Sequence, residues 1–190
     1  RTTFKTNKRL VFWSVDDFPD QFDDTKLEIL LLWIKGNVPV KDPNAFFAGT
    51  SRLKILFLLC EDDGKAPSPS LSKSLLSLKY IHTLILDGWE LGDISILKNI
   101  QSLVTLEFKN CLIIELPRNI MELKKLRWLG MRKCEIEKNN PFEVIEKCSQ
   151  LDEVYFVENF NVKDWNTQDE KEIVDEIAHD ICPIGLQIFS

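Results

Sequence analysis

One short motif, apolar-x-x-apolar-x-apolar, recurs along this chain, and each copy breaks off into a polar or helical return. The clear copies are LEILLL from Leu27, LKILFL from Leu53, IHTLIL from Ile81, LVTLEF from Leu103, LRWLGM from Leu126 and LDEVYF from Leu151. A weaker copy, NKRLVF from Asn7, precedes them, and the starts lie 20, 26, 28, 22, 23 and 25 residues apart. The fourth and sixth positions of each copy are two residues apart, so they share one face of a strand. That phase sends Leu84 and Leu86, Leu106 and Phe108, and Leu129 and Met131 into a core, which Leu91, Ile113 and Ile136 extend after the strand. A unit this small cannot bury its own apolar face. It must stack on neighbours, with strands side by side in a parallel sheet and function carried by exposed surface.

The period is that of the leucine-rich repeat. The expected fold is therefore α/β: a leucine-rich repeat solenoid, or horseshoe, with a parallel β-sheet on the concave face and short helices or irregular turns on the convex face. Residues 1–190 read as a single repeat domain with starts near 7, 27, 53, 81, 103, 126 and 151. A partial eighth turn is expected from about 183, where PIGLQIFS places Leu186 and Ile188 in strand phase. This unfinished turn, and an opening RTTFKTNKRL without methionine, suggest a piece of a longer protein. The returns carry helix signals. DPNAFFAG offers Asp42 as N-cap, Pro43 in the first turn and Gly49 as a stop, and NPFEVIEKC repeats that logic with Asn140, Pro141 and Glu143. DISILKNI, from Asp93, places Ile96, Leu97 and Ile100 on one face, and LPRNIMELKKL spaces Ile120 and Leu123 for burial. Two stretches depart from the pattern. Residues 61–74, rich in Pro, Ser and charge, read as a protruding loop. Residues 167–181 read as a longer convex helix, with Thr167 and Glu170 as a capping box and Ile173, Val174, Ile177, Ala178 and Ile181 as its apolar stripe.

The strand positions between the core residues face the concave, solvent side, with the fifth and seventh as the most exposed columns and the third as a flank. The fifth column reads Val11, Leu31, Phe57, Ile85, Glu107, Gly130, Tyr155; the seventh reads Trp13, Trp33, Leu59, Asp87, Lys109, Arg132, Val157. Trp13, Leu31, Trp33, Phe57 and Ile85 form an apolar set that is expected to cover another domain or partner, because such patches mark interfaces. Lys109, Arg127, Arg132 and Lys133, with Trp128 among them and Tyr155 in the next turn, form a basic and aromatic set suited to an acidic contact. A one-residue slip in the early turns would send their apolar residues inward as core instead.

Charge and chemistry narrow the function. Thirty acids against 24 bases, a net charge of −6, speak against nucleic acid as a partner. The longest apolar run, ILLLWI from Ile29, is too short for a membrane segment. Cys60, Cys111, Cys134, Cys148 and Cys182 form no close pair with metal-site spacing. Cys111 and Cys134 each lie eight residues past a repeat start, where the repeat wants Asn or Cys, and Asn159 holds the same place. They read as reduced, buried thiols. With no N-x-S/T sequon, this leans toward a cytoplasmic location. His82 and His179 lie far apart, and the acid pairs Asp16–Asp17, Asp23–Asp24 and Asp62–Asp63 fit turns better than catalysis, so no enzyme, metal or cofactor site is expected.

The wording of the repeats goes further. LKNIQSLVTLEFKNCLIIELPRNIMELKKLRWLGMRKCEIE resembles the repeats of plant intracellular immune receptors of the coiled-coil, nucleotide-binding, leucine-rich-repeat class. The resemblance is carried by Leu103, Leu106, Phe108, Cys111, Ile113, Leu116, Pro117, Ile120, Leu123, Leu126, Leu129, Met131, Cys134 and Ile136. VPVKDPNAFFAGTSRLKILFL and CSQLDEVYFVENF look similar. The resemblance implies a cytoplasmic disease resistance protein whose repeats recognise a pathogen effector or a guarded host protein, or contact other domains of the same receptor. It also implies an ATP/ADP switch elsewhere in the parent, since no GxxxxGK[ST] loop occurs in this chain. A generic intracellular scaffold binding a constant protein partner is the alternative. An extracellular ectodomain, lacking sequons and disulfide caps, stands third.

Overall fold

A computed structural model describes residues 10–16, 18, 26–35, 43–50, 52–61, 66–67 and 71–161. The expected helix over 167–181, the eighth turn, Asp42, His179 and Cys182 lie outside them. Among the described residues the main sheet has seven parallel strands in chain order: β1 (Leu10–Val15), β2 (Ile29–Ile34), β3 (Ile55–Cys60), β5 (Thr83–Asp87), β7 (Thr105–Lys109), β9 (Trp128–Arg132) and β11 (Glu153–Val157). From β2 to β11 the register matches the repeat phase, since Ile29, Ile55, Thr83, Thr105, Trp128 and Glu153 are successive Cα partners. Fourth and sixth positions such as Leu30, Leu32, Leu56, Leu58, Leu84, Leu106, Phe108, Leu129 and Met131 are buried. The second-position carbonyl of each turn accepts two N–H bonds from the next, as when His82 receives Val104 at 2.8 Å and Thr105 at 2.9 Å.

The first turn corrects the sequence phase. Val11 pairs with Leu30 and Trp13 with Leu32, so both stand at register positions of the core columns, while Ser14 pairs with Trp33. The turn therefore starts one residue later than Asn7, and Trp13 is in register with the sixth column instead of the seventh. The reason is local. LVFWSV is apolar at four successive positions, so alternation could not choose between two phases that differ by one residue.

The turns built on β5, β7, β9 and β11 leave the main sheet through a left-handed residue: Gly88, Asn110, Lys133 and Glu158 have φ of 80°, 48°, 52° and 53°. Gly88 is required there, because a Cβ would lie 2.5 Å from the Cys60 carbonyl oxygen. The next residue reaches back under the sheet. Trp89 Nε1 donates to the Leu58 carbonyl at 3.1 Å, Cys111 Sγ lies 3.4 Å from that of Leu86, Cys134 Sγ lies 3.3 Å from that of Phe108, and Asn159 Nδ2 donates to that of Met131 at 2.9 Å. Three kinds of side chain, Trp, Cys and Asn, thus serve the same sixth-position carbonyl of the preceding turn. Asn159 does more, since its Oδ1 also accepts the Cys134 N–H at 2.8 Å.

Past this ladder runs a second parallel sheet of short strands: β4 (Ala66–Pro67), β6 (Trp89–Gly92), β8 (Leu112–Ile113), β10 (Glu135–Ile136) and β12 (Phe160–Asn161). The convex side carries α1 (Asn44–Ala48), α2 (Leu71–Ser74), α3 (Phe142–Ile145) and 3-10 turns over 75–77, 95–99 and 118–122. The stretch read as a loop at 61–74 therefore contains β4 and α2, with Leu71 buried. Asn140 caps α3, its Oδ1 accepting the Phe142 N–H at 3.0 Å. Asp93 does the same for Ser95 at 2.8 Å, and that bond holds its carboxyl below the usual carboxylate range. Leu97 and Ile100 are buried as expected, while Ile96 is half-buried and Ile94 takes its place. In the early turns Phe18, Phe46, Phe47 and Trp89 pack as one aromatic cluster, with Phe18 centroids 5.8 Å from Phe46 and 6.1 Å from Trp89.

Candidate functional site

The pleat of the main sheet puts third, fifth and seventh positions on the concave face. On β2, β3 and β5 these include Leu31, Trp33, Phe57, Leu59 and Ile85, all half-buried and alternating with buried neighbours. They are not core. Leu31, Phe57 and Ile85 are adjacent in register, as are Trp33 and Leu59, so the apolar set from the second turn onward is one contiguous surface. Lys35 borders it, its Nζ 4.9 Å from the centroid of the Trp33 ring.

From β7 onward the same columns change character. Glu107, Gly130 and Tyr155 follow Ile85 in the fifth column, and Lys109, Arg132 and Val157 follow Asp87 in the seventh. The fifth column is less open here than its phase suggests, because Glu107 is only 9 % exposed and Gly130 is buried. Trp128, a flank residue by phase, covers them. A Cβ on Gly130 would collide with the Trp128 ring and lie 2.9 Å from Glu107 Cγ. Tyr155 continues the surface, its ring 14° from parallel to Trp128 with centroids 6.5 Å apart.

The basic residues do not form one cluster. Arg127 precedes β9 and Lys133 follows it, so their backbones are about 20 Å apart along the strand. Arg127 donates from Nη1 to the Gln150 carbonyl at 2.7 Å and lies 3.8 Å from Asp152. Lys133 pairs with Glu158 at 3.5 Å and Lys109 with Glu107 at 3.1 Å. Asp87 accepts a 2.7 Å bond from Asn110 Nδ2. Arg132 is exposed and its guanidinium has no carboxylate partner among the described residues. Sequence reasoning missed the Trp128 cover and the role of Trp89. The second was readable, since Trp89 lies eight residues past Ile81 as Cys111 does past Leu103.

Among the described residues, no group of three or more His, Cys, Asp and Glu could hold a metal ion, and no helix is long and apolar enough to cross a membrane. His82 is an exposed second-position residue. Burial, and then the neighbouring Cys134 thiol, push the Cys111 thiol well above its ordinary range, which favours its protonated form.

No protein-family profile matches the chain. A disease resistance protein of Arabidopsis thaliana is 27 % identical over 182 residues, covering 93 % of this chain and 18 % of that protein. The chain thus spans less than a fifth of that relative. Among solved structures, the plant peptide hormone receptor RGFR1 in complex with RGF2 superposes with a TM-score of 0.53, at 20 % identity, over 72 % of this chain and 22 % of that one. Internalin C2 of Listeria monocytogenes gives a TM-score of 0.50, at 18 % identity, over 72 % of this chain and 54 % of that one. With the parallel sheet and repeating register, these likenesses establish a leucine-rich-repeat-type solenoid fold, similar to that of plant and bacterial repeat proteins.

Proposed function

We propose that this chain is a protein-recognition module that binds through its concave sheet and catalyses no reaction. The carrying observation is the contiguous half-buried apolar surface of Leu31, Trp33, Phe57, Leu59 and Ile85, which the strand register holds clear of the core. A surface of that kind is expensive to leave in water and fits burial against another protein. The test places a photo-crosslinking residue at position 57 on the concave side and, as a control, at 147 on the convex side, in cells of the source. A partner crosslinked from 57 and not from 147 supports the reading; equal or convex-only crosslinking sinks it.

The finer form of the proposal makes the module the recognition segment of a cytoplasmic plant disease resistance protein that senses an effector or a guarded host protein and restrains a nucleotide switch. Its support is the 27 % identity to the Arabidopsis protein over 93 % of this chain, together with the repeat wording. The coding sequence upstream tests it. A phosphate loop there favours the sensor, whereas its absence leaves a scaffold for a constant partner.

A further inference from the structure

Resting on the protein-recognition reading, we propose that Trp128, Tyr155 and Arg132 form a distinct subsite for an acidic segment of a protein partner. An apolar or aromatic side chain of that segment lies against the two rings, and a carboxylate next to it pairs with the Arg132 guanidinium. The shelf is built rather than accidental. Gly130 is the one fifth-position residue without a side chain between β2 and β11, and the Trp128 ring occupies the space a Cβ would need. Tyr155, the register partner of Gly130, extends the shelf to the next strand. Trp128, Gly130 and Arg132 alternate along β9, so shelf and cation face the same way.

Charge identifies the occupant. Lys109, Lys133 and Arg127 already sit beside Glu107, Glu158 and Asp152, whereas Arg132 is exposed without a carboxylate partner among the described residues. The other nearby acid of the seventh column, Asp87, is bonded to Asn110. Exposed Glu153 stands beside Trp128 at the opposite end of the strand, and it repels a second carboxylate there. The segment therefore lies with its acid toward the C-terminal ends of the strands. A lone guanidinium on an acidic protein suits a planar carboxylate better than nucleic acid, which needs clustered cations. Trp, Tyr and Arg together are the side chains that most often anchor protein interfaces.

The test pans a random peptide library on the 190-residue chain and measures the enriched peptides by fluorescence polarisation against four proteins. These are the unaltered chain, Arg132→Glu, Trp128→Ala and Trp33→Ser. Enriched peptides should carry Asp or Glu beside an aromatic or large aliphatic residue. Their affinity should fall about tenfold or more on Arg132→Glu and on Trp128→Ala, and fall by clearly less on Trp33→Ser, which lies on the neighbouring apolar surface. Changing the peptide acid to its amide should weaken binding to the unaltered chain and recover part of the binding to Arg132→Glu, where the acid meets a like charge. Arg132 is exposed, so that variant should melt like the unaltered chain and its result does not hinge on folding. Peptides without an acid, or undiminished binding to Arg132→Glu, overturn the subsite. Peptides lost only on Trp33→Ser overturn it while leaving the protein-recognition reading intact, and an absence of concave binders counts against both.

Discussion

The turns built on β2 and β3 and those built on β7, β9 and β11 share one core geometry and little else. Both bury the first, fourth and sixth positions almost completely. In the early turns the space behind the sheet is filled by Phe18, Phe46, Phe47 and Trp89, and the concave side is apolar. In the later turns that space is lined by Cys111, Cys134 and Asn159, and the concave side carries ion pairs and an aromatic shelf. Stacking constrains the core columns because every residue there touches the turn before and the turn after. The concave columns answer only to what they meet in solution, so the same frame holds two surfaces of different chemistry. Trp89 stands between the two regimes. It is the first member of the ladder and part of the aromatic cluster.

Trp89→Ala should therefore break the comparison most severely. It removes a fully buried indole and leaves the Leu58 carbonyl without its donor, at a cost of about 3–5 kcal/mol in urea denaturation. Trp89→Phe should retain most of the packing and lose about 1–3 kcal/mol for the orphaned carbonyl. A loss below 1 kcal/mol for Trp89→Ala would mean the two halves are not joined there. Next in size is Asn159→Ala, about 1–3 kcal/mol, since that side chain satisfies the Cys134 N–H and the Met131 carbonyl together. Cys134→Ala should cost less, because a thiol is a weak donor to one carbonyl at a time.

The two halves also differ in how much of them can be read without coordinates. From Leu103 onward the strand phase was legible, because each copy has apolar first, fourth and sixth positions and a register slip would expose them all, whereas in β2 and β3 the unbroken apolar runs left a one-residue slip open until the register closed it. The first turn was not legible, since Leu10–Trp13 is apolar throughout and either phase buries something. Residues 61–74 misled through composition. Pro and Ser outweighed Leu71, which the stack buries through contacts distant in sequence. The candidate surface was legible column by column, but its geometry was not. Nothing local says that Trp128 lies across Gly130, because that depends on the missing Cβ of one residue and the neighbouring strands at once. Likewise, Arg127 and Lys133, counted in one basic group, are separated by a strand length and neutralised by acids from the next turn.

The later turns should be the more sensitive to alkali. Burial pushes the Cys148 thiol up to about 11, and Cys111 is raised as well. In the unfolded chain such a thiol ionises near about 8.5. As pH rises, the unfolded state loses its proton first, so stability is intact below about 8.5 and declines until the folded thiols also ionise. Urea midpoints should fall across that window and fall less steeply in Cys148→Ala. Midpoints flat to pH 11 would show that the thiols are not protected by the fold.

Phe57→Ser and Trp33→Ser sharpen the concave side of the comparison. Both residues are half-buried on the open face, so each should cost on the order of 1 kcal/mol, well short of the about 2–5 kcal/mol expected for Leu106→Ala in the core. Partner binding should suffer more than melting. A melting loss as large as that of Leu106→Ala would assign them to the core after all.

The smallest expected effect on stability belongs to the later turns, and it separates stability from recognition. Glu158 and Lys133 are each about half exposed and 3.5 Å apart. Such a pair adds under about 1 kcal/mol, because water screens it and two flexible side chains must be held. Glu158→Gln should therefore leave the urea midpoint almost unchanged. It also releases Lys133, one residue from Arg132, from its neutralising acid. If the later half of the sheet is tuned for a carboxylate, this substitution should strengthen binding of an acidic peptide, and the gain should shrink as salt is added. A weaker complex with unchanged stability would instead mean that Glu158 itself meets the partner, and that the acid on this rim is part of the surface and not a counterweight to it.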